Sequence, residues 1–207
     1  MSFTRINVFT LAVVGFVFLC PGDTYAATPA VSTNSVGQPV GFNAGSNGWR
    51  FQALQNVDVV SLGYWDWAGD GDGFASDVNV AIWTDAGTPL GSLTVPAGAS
   101  GTLIDEFRYA NLTTPIPLSS GQFYRIAASA TAGDLPYNFS APITESAAID
   151  YDTGYYTFVS APLTFPTTVG GVGSFFGPNF LYVPEPSSLA LAGLGLLAIC
   201  CRRRRHT

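Results

Sequence analysis

Turn-forming residues interrupt this chain at short intervals, and their spacing constrains the fold more than any other feature. Between residues 38 and 183, runs rich in Val, Ile, Thr, Tyr, Phe and Trp are broken roughly every eight to twelve residues by Gly, Pro, Asn or Asp. Such runs are too short for most helices but fit strands. The pattern predicts an all-β domain, an antiparallel β-sandwich with a jelly-roll-like arrangement.

Apolar and polar residues alternate along several of these runs, which is the period of a strand with one buried face. In one run, Trp49 and Phe51 fall on the face opposite Arg50 and Gln52. We predict strands at Val40–Asn43, Gly48–Leu54, Val57–Trp65, Val78–Thr84, Leu90–Val95, Ile104–Tyr109, Phe123–Ser129, Ile149–Tyr151, Tyr155–Val159 and Asn179–Val183.

The residue content of this domain excludes most catalytic chemistry. The chain has no lysine, and its one histidine, His206, and its three cysteines lie in the terminal segments. Nucleophiles activated by histidine, Schiff-base lysines and histidine-ligated zinc are therefore excluded from the domain. A pair of carboxylates suits a glycosidase, but the neighbours Asp105 and Glu106 are expected to point to opposite faces of one strand. We therefore expect that the protein is not an enzyme.

The domain is strongly acidic. Residues 27–183 contain twelve carboxylates and three arginines, which gives a formal charge of −9. A surface of this sign repels nucleic acid and attracts cations. No nucleic-acid partner is expected.

The first 26 residues have the pattern of a signal peptide. Arg5 precedes an apolar run at residues 8–19, and Ala26 is a small residue of the kind that signal peptidase requires. We expect cleavage after Ala26. A disordered leader at residues 27–37, rich in Ala, Thr, Pro, Ser and Asn, is predicted to follow, and then the β-sandwich domain at residues 38–183.

The last segment, residues 184–207, combines three features in a fixed order. Pro184, Glu185 and Pro186 come first, an apolar run at residues 189–201 comes second, and four arginines come last, namely Arg202, Arg203, Arg204 and Arg205. The apolar run is predicted to be a short transmembrane helix of about 20 Å, which makes it a marginal anchor for a hydrocarbon core of about 30 Å. The arginines keep that end in the cytoplasm, so the domain is expected outside.

This order, beginning at Val183, resembles the PEP-CTERM sorting signal of bacteria that produce extracellular polysaccharide. The resemblance implies recognition by a membrane-embedded exosortase, a cysteine transpeptidase-like enzyme that cuts near Pro-Glu-Pro. It also implies an exported protein that is held transiently in the inner membrane and then passed to the cell surface or to the matrix of a biofilm. An ordinary single-span anchor is the alternative.

A looser resemblance concerns the domain itself. It resembles an uncharacterised β-sandwich module that recurs in secreted bacterial proteins with the same tail, through the segments Val60–Asp66, Gly69–Phe74, Val80–Trp83, Phe107–Tyr109 and Gly121–Tyr124. This resemblance implies a fold and no activity.

Four carboxylates lie close together in the sequence, at Asp66, Asp70, Asp72 and Asp77. Calcium takes about six to eight oxygen ligands, and glycines between the carboxylates let backbone carbonyls turn inward. The stretch is therefore a candidate calcium site, with no other cofactor expected. The alternative is a solvated acidic turn, which favours the same residue types.

Trp67 lies beside this acidic stretch and is the tryptophan that we expect to be exposed, where a flat ring can stack on a sugar. Trp49 and Trp83 are expected in the core. The favoured function is a non-enzymatic surface or matrix protein associated with extracellular polysaccharide. The alternatives are a carbohydrate- or calcium-binding module of the lectin type and, more remotely, a carboxylate-based glycan hydrolase.

Overall fold

The computed structural model describes residues 26–33, 39–42, 45–66, 72–130, 135–138, 143–158, 163–171 and 175–185. These residues form strands and turns, and no helix occurs among them, which confirms the predicted all-β class. The predicted signal peptide up to residue 25 and the predicted helix at residues 189–201 lie outside the described residues.

Fifteen strands occur in the described part of the chain. They are β1 (Thr28–Pro29), β2 (Val31–Thr33), β3 (Pro39–Phe42), β4 (Ser46–Ala53), β5 (Val57–Trp65), β6 (Val78–Thr84), β7 (Pro89–Val95), β8 (Thr102–Ile104), β9 (Phe107–Leu118), β10 (Phe123–Ala130), β11 (Leu135–Asn138), β12 (Ile143–Glu145), β13 (Ile149–Thr157), β14 (Thr168–Gly171) and β15 (Pro178–Pro184). β5 and β6 have the predicted bounds.

Most of these described strands belong to two antiparallel sheets that share one core. The larger sheet has the order β14-β13-β4-β10-β6-β7, and the other has the order β1-β15-β5-β9-β8. Two small pairs, β11-β3 and β12-β2, complete the described pairings. Because buried side chains from both sheets form one cluster, the arrangement is sandwich-like. The jelly-roll-like strand connection stays a prediction.

The alternation predicted from the sequence selects the buried face of the larger sheet. Trp49 and Phe51 of β4 are 0% exposed, whereas Arg50 and Gln52, which alternate with them, are half-buried on the other face. The ring of Phe180 in β15 lies 5.2 Å from that of Phe51 across the core. Aromatic rings from the two sheets therefore meet in the centre of the domain, where they bury large apolar areas.

Trp83 is buried, but not in the core between the sheets. Its side chain lies on the outer face of the larger sheet with Ala81 and Ala127, and the ring of Phe165 covers it edge-on at 6.0 Å. The segment that includes Leu163 thus closes part of an outer sheet face. Burial of Trp49 in the core is as predicted, whereas Trp83 is buried beneath a loop.

The predicted strand Ile104–Tyr109 is wrong. A turn at Asp105 and Glu106, with φ angles of 48° and 66°, separates β8 from β9. Positive φ at both central residues is the geometry of a type I′ hairpin turn, which usually has the sequence Asn-Gly. The Asp105-Glu106 sequence therefore did not indicate a turn. The Glu106 carbonyl accepts a hydrogen bond from the amide of Asp66 at 2.8 Å and holds the turn in place.

The disordered leader predicted at residues 27–37 is wrong for residues 28–33, which contain β1 and β2. Ala30 and Val31 are 0% and 1% exposed. The Ala30 amide donates to the Phe180 carbonyl, and its own carbonyl accepts from Ser146, both at 2.9 Å. Composition missed this because the partners that order the segment are far away in the sequence.

Asn179 fixes β15 in the interior of the smaller sheet, between β1 and β5. The residue is 0% exposed. Its Nδ2 donates to the Tyr109 hydroxyl at 2.8 Å and to the Val31 carbonyl at 2.7 Å, and its Oδ1 accepts from the amides of Val31 at 3.3 Å and Phe180 at 2.9 Å. One buried amide therefore satisfies partners on β2, β9 and β15.

The Tyr109 hydroxyl that faces Asn179 stays neutral. Burial raises the pKa of Tyr109 well above its ordinary value, and the negative charge of Asp105 raises it further. A neutral hydroxyl fits the interior because an unpaired charge there costs far more than a paired polar group.

Replacement of Asn179 with Ala is expected to lower the free energy of unfolding by about 3 kcal/mol, because it leaves several buried donors and acceptors without partners. Urea denaturation of the purified full chain, followed by tryptophan fluorescence, measures the change. Asn79→Ala is the control, since Asn79 accepts one exposed hydrogen bond, from Thr94 Oγ1 at 2.8 Å. Its loss is expected to stay below about 1 kcal/mol. Equal losses in the two variants would contradict the role given to Asn179.

Candidate functional site: the sorting tail and the acidic stretch

The end of β15 contains the first residues of the predicted sorting motif. Val183 and Pro184 are the last residues of the strand and pair in register with β5. The amide of Glu185 donates to the Asn56 carbonyl at 3.3 Å, and all three motif residues are half-buried. β1 pairs only with earlier residues of β15. Pro184 has no N–H to donate, and β1 does not extend alongside it. Its missing donor therefore leaves no hydrogen bond to β1 unmade.

Asp66, the first carboxylate of the acidic stretch, is buried beside an arginine. Its Oδ2 lies 2.7 Å from Arg108 Nε, and the two side chains are 2% and 4% exposed. The contact is an ion pair rather than an aligned hydrogen bond. Arg108 Nη1 also donates to the carbonyls of Ala99 at 3.0 Å and Gly101 at 3.3 Å. A buried carboxylate needs a positive partner, and this guanidinium is one.

The described carboxylates of the stretch, Asp66, Asp72 and Asp77, do not form a group that could hold a metal ion. Asp72 and Asp77 are exposed, and Asp77 Oδ1 accepts a hydrogen bond from the amide of Ala97 at 2.8 Å. Asp70 lies outside the described residues. In the ranges that the structure describes, no group of three or more His, Cys, Asp or Glu side chains is placed to hold a metal ion. Calcium binding by this stretch stays a prediction.

The outer face of the larger sheet contains a charge cluster that sequence reasoning missed. Arg50 and Arg125 are direct cross-strand partners, a pairing of like charges that is unfavourable unless anions separate them. Asp85 lies between them, 3.1 Å from Arg50 Nη2 and 2.9 Å from Arg125 Nη2. Asp152 Oδ2 lies 2.8 Å from Arg50 Nη1. No signal in the sequence identifies the cluster, because strand order decides which residues meet.

Aromatic rings cover the same two guanidinium groups. The Cζ of Arg50 lies 4.1 Å from the ring centre of Phe123, and the Cζ of Arg125 lies 3.9 Å from that of Tyr155. Burial lowers the pKa of Arg50, but hydrogen bonds and charge attraction from Asp152 and Asp85 outweigh it, so the net pKa is raised. The cluster is therefore a permanently charged, paired element of the sheet surface.

A shallow groove of about 750 Å³ lies on the outer face beside Trp83. Polar side chains of Asn79, Ser92 and Thr94 line it, together with Leu163. Trp83 is only 7% exposed, so its ring offers no open face for a sugar. Trp67, the predicted stacking residue, lies outside the described residues.

The comparisons with known proteins bear on the tail. Residues 183–205 match the PEP-CTERM protein-sorting motif. This match confirms the predicted sorting motif and indicates exosortase-dependent sorting of an exported protein. The match begins at Val183, so the PEP-CTERM motif overlaps the end of β15. In the comparison with curated protein sequences, none matches this chain.

Most of the PEP-CTERM motif extends past the described structure. Pro186 and the arginines at positions 202–205 lie outside it. Among the residues that are described, no helix has the length and apolar character needed to cross a membrane. The motif is therefore identified by its sequence alone, and the structure describes its first three residues, 183–185.

Replacement of Arg108 with Met is expected to lower the free energy of unfolding by about 3 to 5 kcal/mol, because it leaves the Asp66 carboxylate buried without its cation. Thermal unfolding of the full chain measures the effect. Arg50→Met is the matched control: its ion pairs are partly exposed, and its loss is expected to be about 1 kcal/mol. If the control loses as much as Arg108→Met, burial does not govern the Asp66 pair.

Proposed function

We propose that this protein is a non-enzymatic display protein, exported and sorted through its PEP-CTERM tail, whose acidic β domain remains at the cell surface or in the extracellular matrix. The observation that carries the proposal is the motif match at residues 183–205, directly continuous with the last strand of a folded domain. The tail thus directs transport, and the folded domain is the part that reaches the cell surface or the extracellular matrix.

The non-enzymatic part of the proposal is supported by chemistry that the domain lacks. Residues 27–183 contain no histidine, lysine or cysteine, so only carboxylates, hydroxyls and arginines remain for catalysis. Three of the described carboxylates, Asp66, Asp85 and Asp152, are ion-paired with arginines. A glycosidase needs two carboxyl groups that flank one bond. The three carboxylates that are paired with arginines are poorly suited to that role.

We further propose that the domain associates with extracellular polysaccharide. The support for this association is the resemblance of the tail to the sorting signal of polysaccharide-producing bacteria. The formal charge of −9 on residues 27–183 favours a neutral partner, or one reached through bridging cations. Transient residence in the inner membrane before processing belongs to the same proposal.

Processing of the tail is the direct test. In a host with an exosortase, mass spectrometry of the surface-exposed protein is expected to show a C-terminus shortened from Thr207; in the same host without that enzyme, the chain should end at Thr207. Glu185→Gln is expected to reduce processing, because it removes the charge in the centre of the motif. Asp150→Asn, which removes an exposed charge in β13, serves as the control. An intact Thr207 on surface protein in the exosortase host would disprove the sorting route.

Carbohydrate or calcium binding is the second candidate function. The groove beside Trp83 favours the first, because three polar side chains there can hydrogen-bond a sugar. The exposed carboxylates Asp72 and Asp77 of the acidic stretch favour calcium binding.

Binding of a polysaccharide panel to the full chain, without turnover, is expected if this second function holds. Substitution of Ser92 with Tyr, which fills the groove, should then reduce the amount of polysaccharide that the chain binds. Trp67→Ala separately tests the stacking residue predicted from the sequence. Calorimetry tests calcium separately: no heat and no rise in Tm at millimolar calcium would remove the calcium site.

A further inference from the structure

We infer that the folded domain limits where its own tail can be cut: β15 stays whole in the mature protein, and the processed bond is the Glu185–Pro186 bond or one beyond it. This inference rests on the proposed function, because it concerns processing of the same tail. It follows from the overlap between the sorting motif and the sheet.

β15 cannot be withdrawn from the domain without loss of the core. Phe180 is 0% exposed, and Leu181 and Tyr182 are each 6% exposed. The ring of Phe180 lies 5.2 Å from that of Phe51 and stacks on Trp49 at 6.2 Å. Exposure of three such side chains to water would remove a large share of the marginal stability of a domain. A cut upstream of Tyr182 would remove buried residues that close the smaller sheet.

The motif residues themselves are attached to two turns. The amide of Glu185 donates to the Asn56 carbonyl at 3.3 Å. The side chain of Asn56 accepts from the amide of Ser120 at 2.8 Å, and Ser120 Oγ donates to the Leu54 carbonyl at 2.9 Å. Asn56 thus links the end of β15 to the turn at Ser120, and Ser120 is in turn bonded to the turn at Leu54.

Access to the backbone then decides which bond is open to a processing enzyme. Enzymes and domains that grip an extended peptide do so through its backbone N–H and C=O groups. From Pro178 to Pro184 the backbone is already paired with β5, and this pairing ends at Pro184. The first peptide bond past both the sheet and the Asn56 contact is the bond between Glu185 and Pro186.

The cut itself is an acyl transfer, whichever peptide bond is used. One peptide C–N bond breaks. The acyl carbon stays with the domain and passes through the enzyme nucleophile to water or to an amine, and the nitrogen takes a proton and leaves with the tail. With the cut at or beyond the boundary set by the backbone pairing, the domain keeps every residue of β15, and its new carboxyl group or amide lies at Glu185 or later.

The C-terminal residue of the processed natural chain tests the boundary. Mass spectrometry of protein from an exosortase-bearing host is expected to show a terminus at Glu185 or a later residue. A terminus at Pro184 or earlier would overturn the inference while leaving exosortase sorting intact. A chain that still ends at Thr207 would instead count against the proposed function.

An insertion separates the motif from the sheet. Gly-Ser-Gly-Ser-Val-Pro-Glu placed between Glu185 and Pro186 leaves β15 unchanged and creates a complete Val-Pro-Glu-Pro beyond the sheet. The processed terminus is expected to move with the new copy, so that Val183, Pro184 and Glu185 all remain in the product. Cleavage upstream of the inserted glycine would overturn the inference.

Hydrogen exchange on the purified full chain in detergent tests the attachment without any processing. Peptides that cover residues 180–185 are expected to exchange at least about 100-fold more slowly than an unstructured peptide of the same sequence. Exchange at the unstructured rate would show that the motif is not held by the sheet and would overturn the inference even if the processed terminus lay beyond Glu185.

Discussion

The fold depends on the burial of β15, the last described strand, inside a sheet rather than at its edge. Asn179 provides the polar half of this constraint and Phe180 the apolar half. The amide links residues 148 positions apart in the sequence, from Val31 to Asn179. Since the two ends of the domain complete one sheet, the core closes only when both ends are in place. Domains dominated by such distant pairings fold slowly compared with helical ones.

Local patterns in the sequence predicted the strands but not their neighbours. The alternation around Trp49 gave the buried face of β4 correctly because one side of that strand faces the core and the other faces water. The hairpin at Asp105 and Glu106 was missed, since its positive φ angles occur without the glycine that usually marks them. Residues 28–33 were missed because polar, proline-containing segments gain order from distant partners that no local composition reveals.

The candidate site divides in the same way. The sorting motif was predictable because Pro-Glu-Pro, an apolar run and arginines are recognised in linear order. Pairing of Asp66 with Arg108 was not predictable, because it joins the end of β5 to β9 across a sheet. The carboxylates of the acidic stretch look alike in the sequence, yet one is buried beside a guanidinium and two others face solvent.

The arginines of the domain are all paired with aspartates, which decides the sign of the charge that its exterior offers. Each of the three arginines in residues 27–183 lies within ion-pair distance of an aspartate. Aromatic rings further shield two of them. The arginine charge of the domain is therefore all paired within the fold, and the excess formal charge of residues 27–183 is negative. An anionic polymer that approaches the domain therefore meets no unpaired arginine there.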